Sequence, residues 1–162
     1  MDAIYLIKNR KNITNFNDRE IDSKTLADIL DCGRVTPTDV FDQAWKFVVI
    51  KNKATKEKIA NEIPEADYMK KANVLVAVFS ENKKFKLEYA SAATESMLIA
   101  AQYYKIGASW RAAYKEDYGK KIADILGAPE EMLLMGIIAL GYYDFAGGNY
   151  KSKPSFSEMI SY

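Results

Sequence analysis

The amino-acid sequence predicts one domain of the α+β or α/β class, in which helices cover a β-sheet. Strand-like apolar runs near residues 46, 72, 108 and 133 are separated by helical segments, and two helical segments precede the first run. The 162 residues are 49% hydrophobic. A chain of this length buries roughly 70% of its unfolded surface, which is enough for a single core.

Capping and helix-breaking residues delimit the helical segments. Asp22, Ser23 and Thr25 supply capping side chains, Pro64 discourages continuation of a helix, and Gly127 is suited to a helix end. Apolar residues at helical spacing, taken with these signals, predict helices at 2–9, 23–33, 55–63, 86–104 and 116–126.

Runs of β-branched and other apolar residues predict the strands. Residues 46–50, 72–80 and 133–143 are expected to form buried strands, and residues 109–114 are either a loop or a short strand. The remainder, 144–162, is expected to be an extended arm with apolar anchors at Phe156, Met159 and Ile160.

Composition excludes several classes of function. The chain has no histidine and one cysteine, so it has no Ser-His-Asp arrangement, imidazole metal ligand or all-thiolate zinc site, and we predict no metal. A net charge of +1 argues against a nucleic-acid binder. No apolar run is long enough for a membrane span or a signal peptide, so we expect a cytoplasmic protein without a membrane partner.

Two basic segments contain candidate phosphate ligands. Arg10 and Lys11 stand with Asn12 and Thr14 in a polar loop, a set of side chains suited to a phosphate monoester. Lys151 and Lys153 flank a serine near the end of the chain. Each segment taken alone is most simply a solvated surface loop.

Two further segments contain candidate ligand contacts before and within strands. Pro37 and Thr38 form a turn, and Gln43 places an amide just before a buried strand, where it needs a partner that a ligand edge could supply. Ala112 and Ala113 follow a Gly-containing bend, where small side chains let a ligand approach backbone N–H groups. Close packing of helix and strand is the simpler explanation of those alanines taken alone, since Ala is a routine packing residue.

In their order along the chain, these segments resemble the nitroreductase family of FMN-dependent oxidoreductases. Residues 10–16 are similar to the family's Arg-Arg-Ser-Ile-Arg-x-Phe segment. Residues 34–38 and 43–47 are similar to Arg-x-Ala-Pro-Ser and Gln-Pro-Trp-x-Phe, and residues 106–110 to Leu-Gly-x-x-Trp. Residues 140–142 and 151–154 resemble the closing Gly-Tyr and Lys-x-Arg-Pro elements.

The resemblance implies a nitroreductase-like α+β fold, with a mainly antiparallel sheet covered by helices and an extended C-terminal arm. It implies that FMN is the cofactor and that the flavin, not a catalytic side chain, carries the chemistry. At Ala112 and Ala113 it implies a backbone N–H near the flavin N5 atom. The full set of implied cofactor-binding residues is Arg10, Lys11, Asn12, Thr14, Pro37, Thr38, Gln43, Ala112, Ala113, Lys151 and Lys153.

The resemblance also implies the reaction and the partners. NAD(P)H would reduce FMN, and a planar acceptor such as a nitroaromatic or quinone would then take the electrons. Relatives form homodimers with FMN at the interface, so we expect residues 1–162 to form one domain whose 144–162 arm embraces a second copy. The sequence does not choose between NADH and NADPH.

Departures from the family pattern keep other functions open. Thr14 stands where the family usually has a cation, and Lys153 stands where it usually has Arg. Phe41 replaces an Asn that often binds the flavin, and Ser96 replaces an Asn that is frequent in the helix. The link from 51 to 71 is shorter than in most relatives. A non-catalytic FMN-binding protein or a degenerate ligand-binding protein of the same fold is the main alternative. A dehalogenase-like or flavin-destroying relative and a cofactor-free interaction domain are the others.

Overall fold

A computed structural model describes residues 2–39, 43–145 and 153–160. Its helices are α1 (Ala3–Asn9), α2 (Ser23–Arg34), α3 (Lys53–Glu62), α4 (Lys86–Tyr103), α5 (Asp117–Leu126) and α6 (Phe156–Met159). Its strands are β1 (Trp45–Ile50), β2 (Val74–Glu81), β3 (Gly107–Ala112) and β4 (Met132–Gly141). The predicted helices and strands are confirmed, and residues 107–112 form the short strand, not a loop.

The four strands form one sheet in the order β1-β2-β4-β3, and every neighbouring pair is antiparallel. The α+β class is therefore confirmed, and the α/β alternative with a parallel sheet is wrong. The central strands β2 and β4 are buried almost throughout, which explains why their sequences read as continuous apolar runs. Strands β1 and β3 form the two edges.

A hydrophobic core lies on each face of the sheet. One core contains α3, α5 and alternate sheet residues such as Ile137, and the other contains α2, α4 and residues such as Ile138. Because consecutive strand residues point to opposite faces, β4 contributes to both cores. This arrangement leaves the β3 edge between the two helical layers.

The ends of α2 and α5 follow the predicted chemistry. The Asp22 carboxylate accepts a hydrogen bond from the Thr25 N–H at 2.9 Å. The Asn52 side chain does the same for the Thr55 N–H at 3.0 Å, a cap that was not predicted and that begins α3 two residues earlier than expected. Gly127 ends α5 with a φ of 63°, in the left-handed region that favours glycine. A 3-10 helix at Asp67–Lys70 has no counterpart in the sequence prediction.

No described helix is both long and apolar enough to cross a membrane. Within the described ranges, no cluster of Asp, Glu, Cys or His side chains is placed to hold a metal ion.

The close approach of β3 and β4 leaves no room for a side chain at Gly136 unless its neighbours shift. A Cβ there would fall on the indole Nε1 of Trp110 and 3.1 Å from the carbonyl oxygen of Arg111. We expect Gly136→Ala to lower the free energy of unfolding by about 1–3 kcal/mol, measured by urea denaturation, because the indole must shift. In a Trp110→Ala background the same substitution is expected to cost much less, and an equal cost in both backgrounds would contradict the explanation.

Candidate functional site

The polar segment after α1 runs along the β3 edge. The N–H of Ile13 donates to the carbonyl oxygen of Ala108 at 2.9 Å, and Asn12 forms a parallel bridge with Ala108. The Ile13 side chain is buried in the core, while Asn12 and Thr14 on either side of it are exposed. This alternation fixes the segment to the sheet and presents its polar side chains to solvent.

Arg10 ends α1 and is held by a carboxylate on α4. Its Nε lies 3.1 Å from Oε1 of Glu95, and the Arg10 side chain is 27% exposed. A guanidinium bound through Nε keeps its two terminal nitrogens for another acceptor, and no described residue takes them. Arg10 is therefore oriented and only partly hydrated, as a bidentate anion ligand should be.

The turn at 36–39 meets the same part of α4. The Thr36 hydroxyl lies 2.9 Å from the Ser96 hydroxyl and donates to the carbonyl oxygen of Cys32 at 3.1 Å. Because Glu95 and Ser96 are adjacent on α4, the structure brings Arg10 and the turn to one level of that helix. The Thr38 hydroxyl oxygen is buried and has no partner among the described residues.

Pro37 lines a cavity of about 440 Å³ between α1, α2 and α4. Its other lining residues are mostly apolar, among them Leu6, Val35, Ile99 and Tyr103.

The Oδ1 atom of Asn15 is, like the Thr38 hydroxyl oxygen, a buried oxygen without a partner in the described part of the chain.

The far end of β3 offers backbone groups at the sheet edge. The N–H of Ala113 donates to the carbonyl oxygen of Met135 at 3.0 Å, so it is already used in the sheet. Because hydrogen bonding alternates along an antiparallel strand, the N–H of Ala112 is directed away from β4. Of the two alanines named by the sequence, only Ala112 has its N–H directed outward.

Tyr118 binds the carbonyl group of Ala112. Its hydroxyl donates to the Ala112 carbonyl oxygen at 2.6 Å. Burial raises the pKa of Tyr118, and the nearby Glu116 carboxylate raises it further. The hydroxyl is therefore protonated at neutral pH and serves as a donor, which orients the Ala112 peptide.

The remaining predicted site residues are not gathered with these. Gln43 is exposed and precedes β1, at the edge of the sheet opposite β3. Lys153 is exposed beside α6, and Lys11 is exposed after α1. Lys151 and Phe41 lie outside the described residues.

A second cavity, of about 820 Å³, opens where β3 ends. Ala113, Tyr114 and Lys115 line one side of it, and α5 lines another. Sequence reasoning identified neither this cavity nor Glu95 and Tyr118. Those two residues belong to no motif, and only the three-dimensional contacts reveal them.

Two curated proteins align with most of the sequence. The model of the nitroreductase family matches residues 7–66. A protein of Methanothermobacter thermautotrophicus, named as an NADH dehydrogenase/NAD(P)H nitroreductase, is 30% identical over 148 residues, covering 88% of this chain and 78% of its own. A protein of the same name from Archaeoglobus fulgidus is 27% identical over 148 residues, covering 87% and 85%.

Solved structures share the fold. A crystal structure of a protein of that name from Bacteroides thetaiotaomicron superposes with a TM-score of 0.90 at 24% identity, covering 99% of this chain and 96% of that one. A nitroreductase from Desulfovibrio desulfuricans, solved in complex with FMN, has a TM-score of 0.88 at 22% identity, covering 99% and 95%. By sequence and by fold, the chain belongs to the nitroreductase family.

Proposed function

We propose that this chain binds FMN and passes electrons from NAD(P)H to a planar acceptor such as a nitroaromatic or a quinone. The observation that carries the proposal is the placement of Arg10 and the Ala112 N–H along one edge of the sheet. A cation suits the phosphate of FMN, and a backbone N–H suits a ring nitrogen. Names of relatives that include NAD(P)H nitroreductase support the same reaction.

The length of this edge and its unpartnered polar atoms suit the cofactor. Ala108, where the Arg10 segment joins the sheet, and Ala112 are separated by four residues of strand, or about 13 Å. An extended ligand with a phosphate at one end and a ring at the other would lie along this part of the edge. The buried oxygens of Asn15 and Thr38, which have no partner in the described ranges, are groups that a polar ligand would satisfy.

The protein's own part would be binding and orientation. When bound, FMN supplies the two-electron chemistry, accepting a hydride from NAD(P)H in one half of the cycle and giving both electrons to the acceptor in the other. Arg10 would hold the phosphate. The structure does not gather Lys11 and Lys153 beside Arg10, and Lys151 lies outside the described residues, so these three lysines stay predictions from the sequence as further phosphate ligands. Ala112 would offer its N–H to the ring, and Asn12, Thr14 and Ala113 would lie close by.

A homodimer with FMN at the interface is part of this proposal. The α1 face carries Ile4, Tyr5 and Ile7, each more than half exposed, and Met159 in the C-terminal arm is 68% exposed. Apolar patches of this kind mark interaction surfaces. A second copy would cover them, and it would bring Pro37, Thr38 and Gln43 to a flavin whose phosphate lies at Arg10 of the other copy.

The location in the cytoplasm and the single-domain organisation with a 144–162 arm stay predictions from the sequence. The same is true of the absence of nucleic-acid and membrane partners.

Removal of the Arg10 guanidinium tests the phosphate site. We expect Arg10→Ala to raise the dissociation constant of FMN about tenfold or more, measured by quenching of flavin fluorescence, because a charge-assisted hydrogen bond is lost. Lys24→Ala is the matched control, since Lys24 also pairs with a carboxylate at 3.1 Å, that of Asp28, but lies in the first turn of α2, outside the site. Equal FMN affinity in Arg10→Ala and the unaltered protein would remove Arg10 from the site.

Turnover separates the enzyme from the main alternative. We expect the FMN-loaded protein to oxidise NAD(P)H when a quinone is supplied, followed by the loss of nicotinamide absorbance. Tight FMN binding without this oxidation would instead favour the non-catalytic flavin-binding protein.

The interface is tested by the oligomeric state. Light scattering is expected to give twice the mass of one chain, and Ile7→Glu is expected to shift the protein toward the monomer and to release FMN. Val49→Glu, at an exposed apolar position on β1, is expected to do neither. A flavin-bound protein that scatters as a monomer would exclude the interfacial site.

A further inference from the structure

A basic and aromatic corner lies at the mouth of the 820 Å³ cavity. We define the basic corner as Lys86, Tyr114 and Lys115. Lys86 comes from the first turn of α4 and Lys115 from the turn before α5, and their ammonium nitrogens each lie 5.5 Å from the centre of the Tyr114 ring. Two cations from distant segments therefore flank one aromatic ring.

Carboxylates of the described residues do not pair with these two ammonium groups. Neither forms an ion pair with any residue that the structure describes; Lys86 makes only a long hydrogen bond to the carbonyl oxygen of Lys83. Lys84 adds a third cation next to the corner, 4.6 Å from the ring centre of Phe85, and that ring is 39% exposed. Like charges placed together without ion-pair partners favour a bound anion at that place.

Charged residues of opposite sign line the two ends of the cavity along α5. Lys115 and Lys120 line it where α5 begins, whereas Asp124 and Glu130 line it toward the other end of the helix. The ten residues of α5 separate those ends by about 15 Å. Among the lining residues that the structure describes, Glu116 is the acidic one at the basic end. Positive charge is therefore concentrated at that end, and Glu116 offsets part of it.

The cavity adjoins the edge at which we place the flavin ring. Ala113 lines it and follows Ala112 directly, and Tyr114 is the next residue. A volume of about 820 Å³ lies in the range of small-molecule sites. A ligand with one end at Ala112 therefore has room to extend toward Lys86 and Lys115.

We propose that the basic corner binds the phosphate groups of the dinucleotide that donates the hydride. This inference rests on the proposed function and adds a binding site for the part of NAD(P)H that does not react. The nicotinamide would reach the Ala112 edge, while the pyrophosphate would lie between Lys86 and Lys115. The Tyr114 ring would support a sugar or a base of the dinucleotide.

A charge-neutralising double variant tests this site. In Lys86→Gln/Lys115→Gln, we expect KM for NADH and NADPH, and the dissociation constant of NADP⁺ measured by calorimetry, to rise about fivefold, because the charge contacts of the half-buried Lys86 and the exposed Lys115 are lost. Reduction by 1-benzyl-1,4-dihydronicotinamide, an uncharged hydride donor without phosphates, is expected to be unchanged. An effect on NADPH alone would assign the corner to the 2′-phosphate, and an effect on both donors to the shared pyrophosphate.

The control and the contrary results separate this inference from the proposed function. Lys51→Gln/Lys58→Gln removes two exposed lysines elsewhere on the surface and is expected to leave all these constants unchanged. The FMN dissociation constant of the Lys86→Gln/Lys115→Gln variant is also expected to be unchanged. If the protein binds FMN and is reduced by NAD(P)H but the variant keeps its KM and its NADP⁺ affinity, the basic corner is not a phosphate site. A protein that binds no FMN contradicts the proposed function instead. In that case, equal NADP⁺ affinity in the unaltered protein and in Lys86→Gln/Lys115→Gln would still overturn this inference.

Discussion

The pairing of β2 with β4 is the constraint on which the rest of the structure depends. Both strands are buried on both faces, so each face of the sheet needs its own helical layer. Helices α2 and α4 supply one layer, and α3 and α5 the other. Only the strand edges are left for polar chemistry, and at the β3 edge the chain adds the segment that follows α1.

That edge gives the candidate site two kinds of support. Backbone hydrogen bonds fix the position of the 12–14 segment and of the Ala112 peptide, and side chains from the helices fix what projects from them. Glu95 orients Arg10, and Tyr118 holds the Ala112 carbonyl oxygen. Because these supports come from regular elements, the Arg10 guanidinium and the outward N–H of Ala112 are held in place before any ligand arrives.

The fold was largely predictable because its signals are local. The capping residue Asp22, the helix end at Gly127 and the apolar runs of β2 and β4 are each legible within a few residues. The 3-10 helix at Asp67–Lys70 was not, since four residues show no periodicity. The order of the strands depends on contacts between distant segments, which a single sequence does not contain.

The candidate site was predictable by residue type but not by geometry. The motifs named Arg10, but its contact with Glu95 joins positions 85 residues apart. They named Ala112 and Ala113 together, and only the register of β3 on β4 distinguishes the direction of the two N–H groups. Gln43, although it belongs to the same motif set, lies at the opposite edge of the sheet because β1 and β3 are separated by two strands.

The open end of β3 also bears on how the protein has to be handled. The 12–14 segment shields the first half of this edge, whereas the backbone around Ala112 is directed outward, and unshielded strand edges are where foreign strands add and aggregates begin. A ligand seated along the second half would act as a guard against such additions. Preparations stripped of it should therefore be the ones that precipitate on concentration.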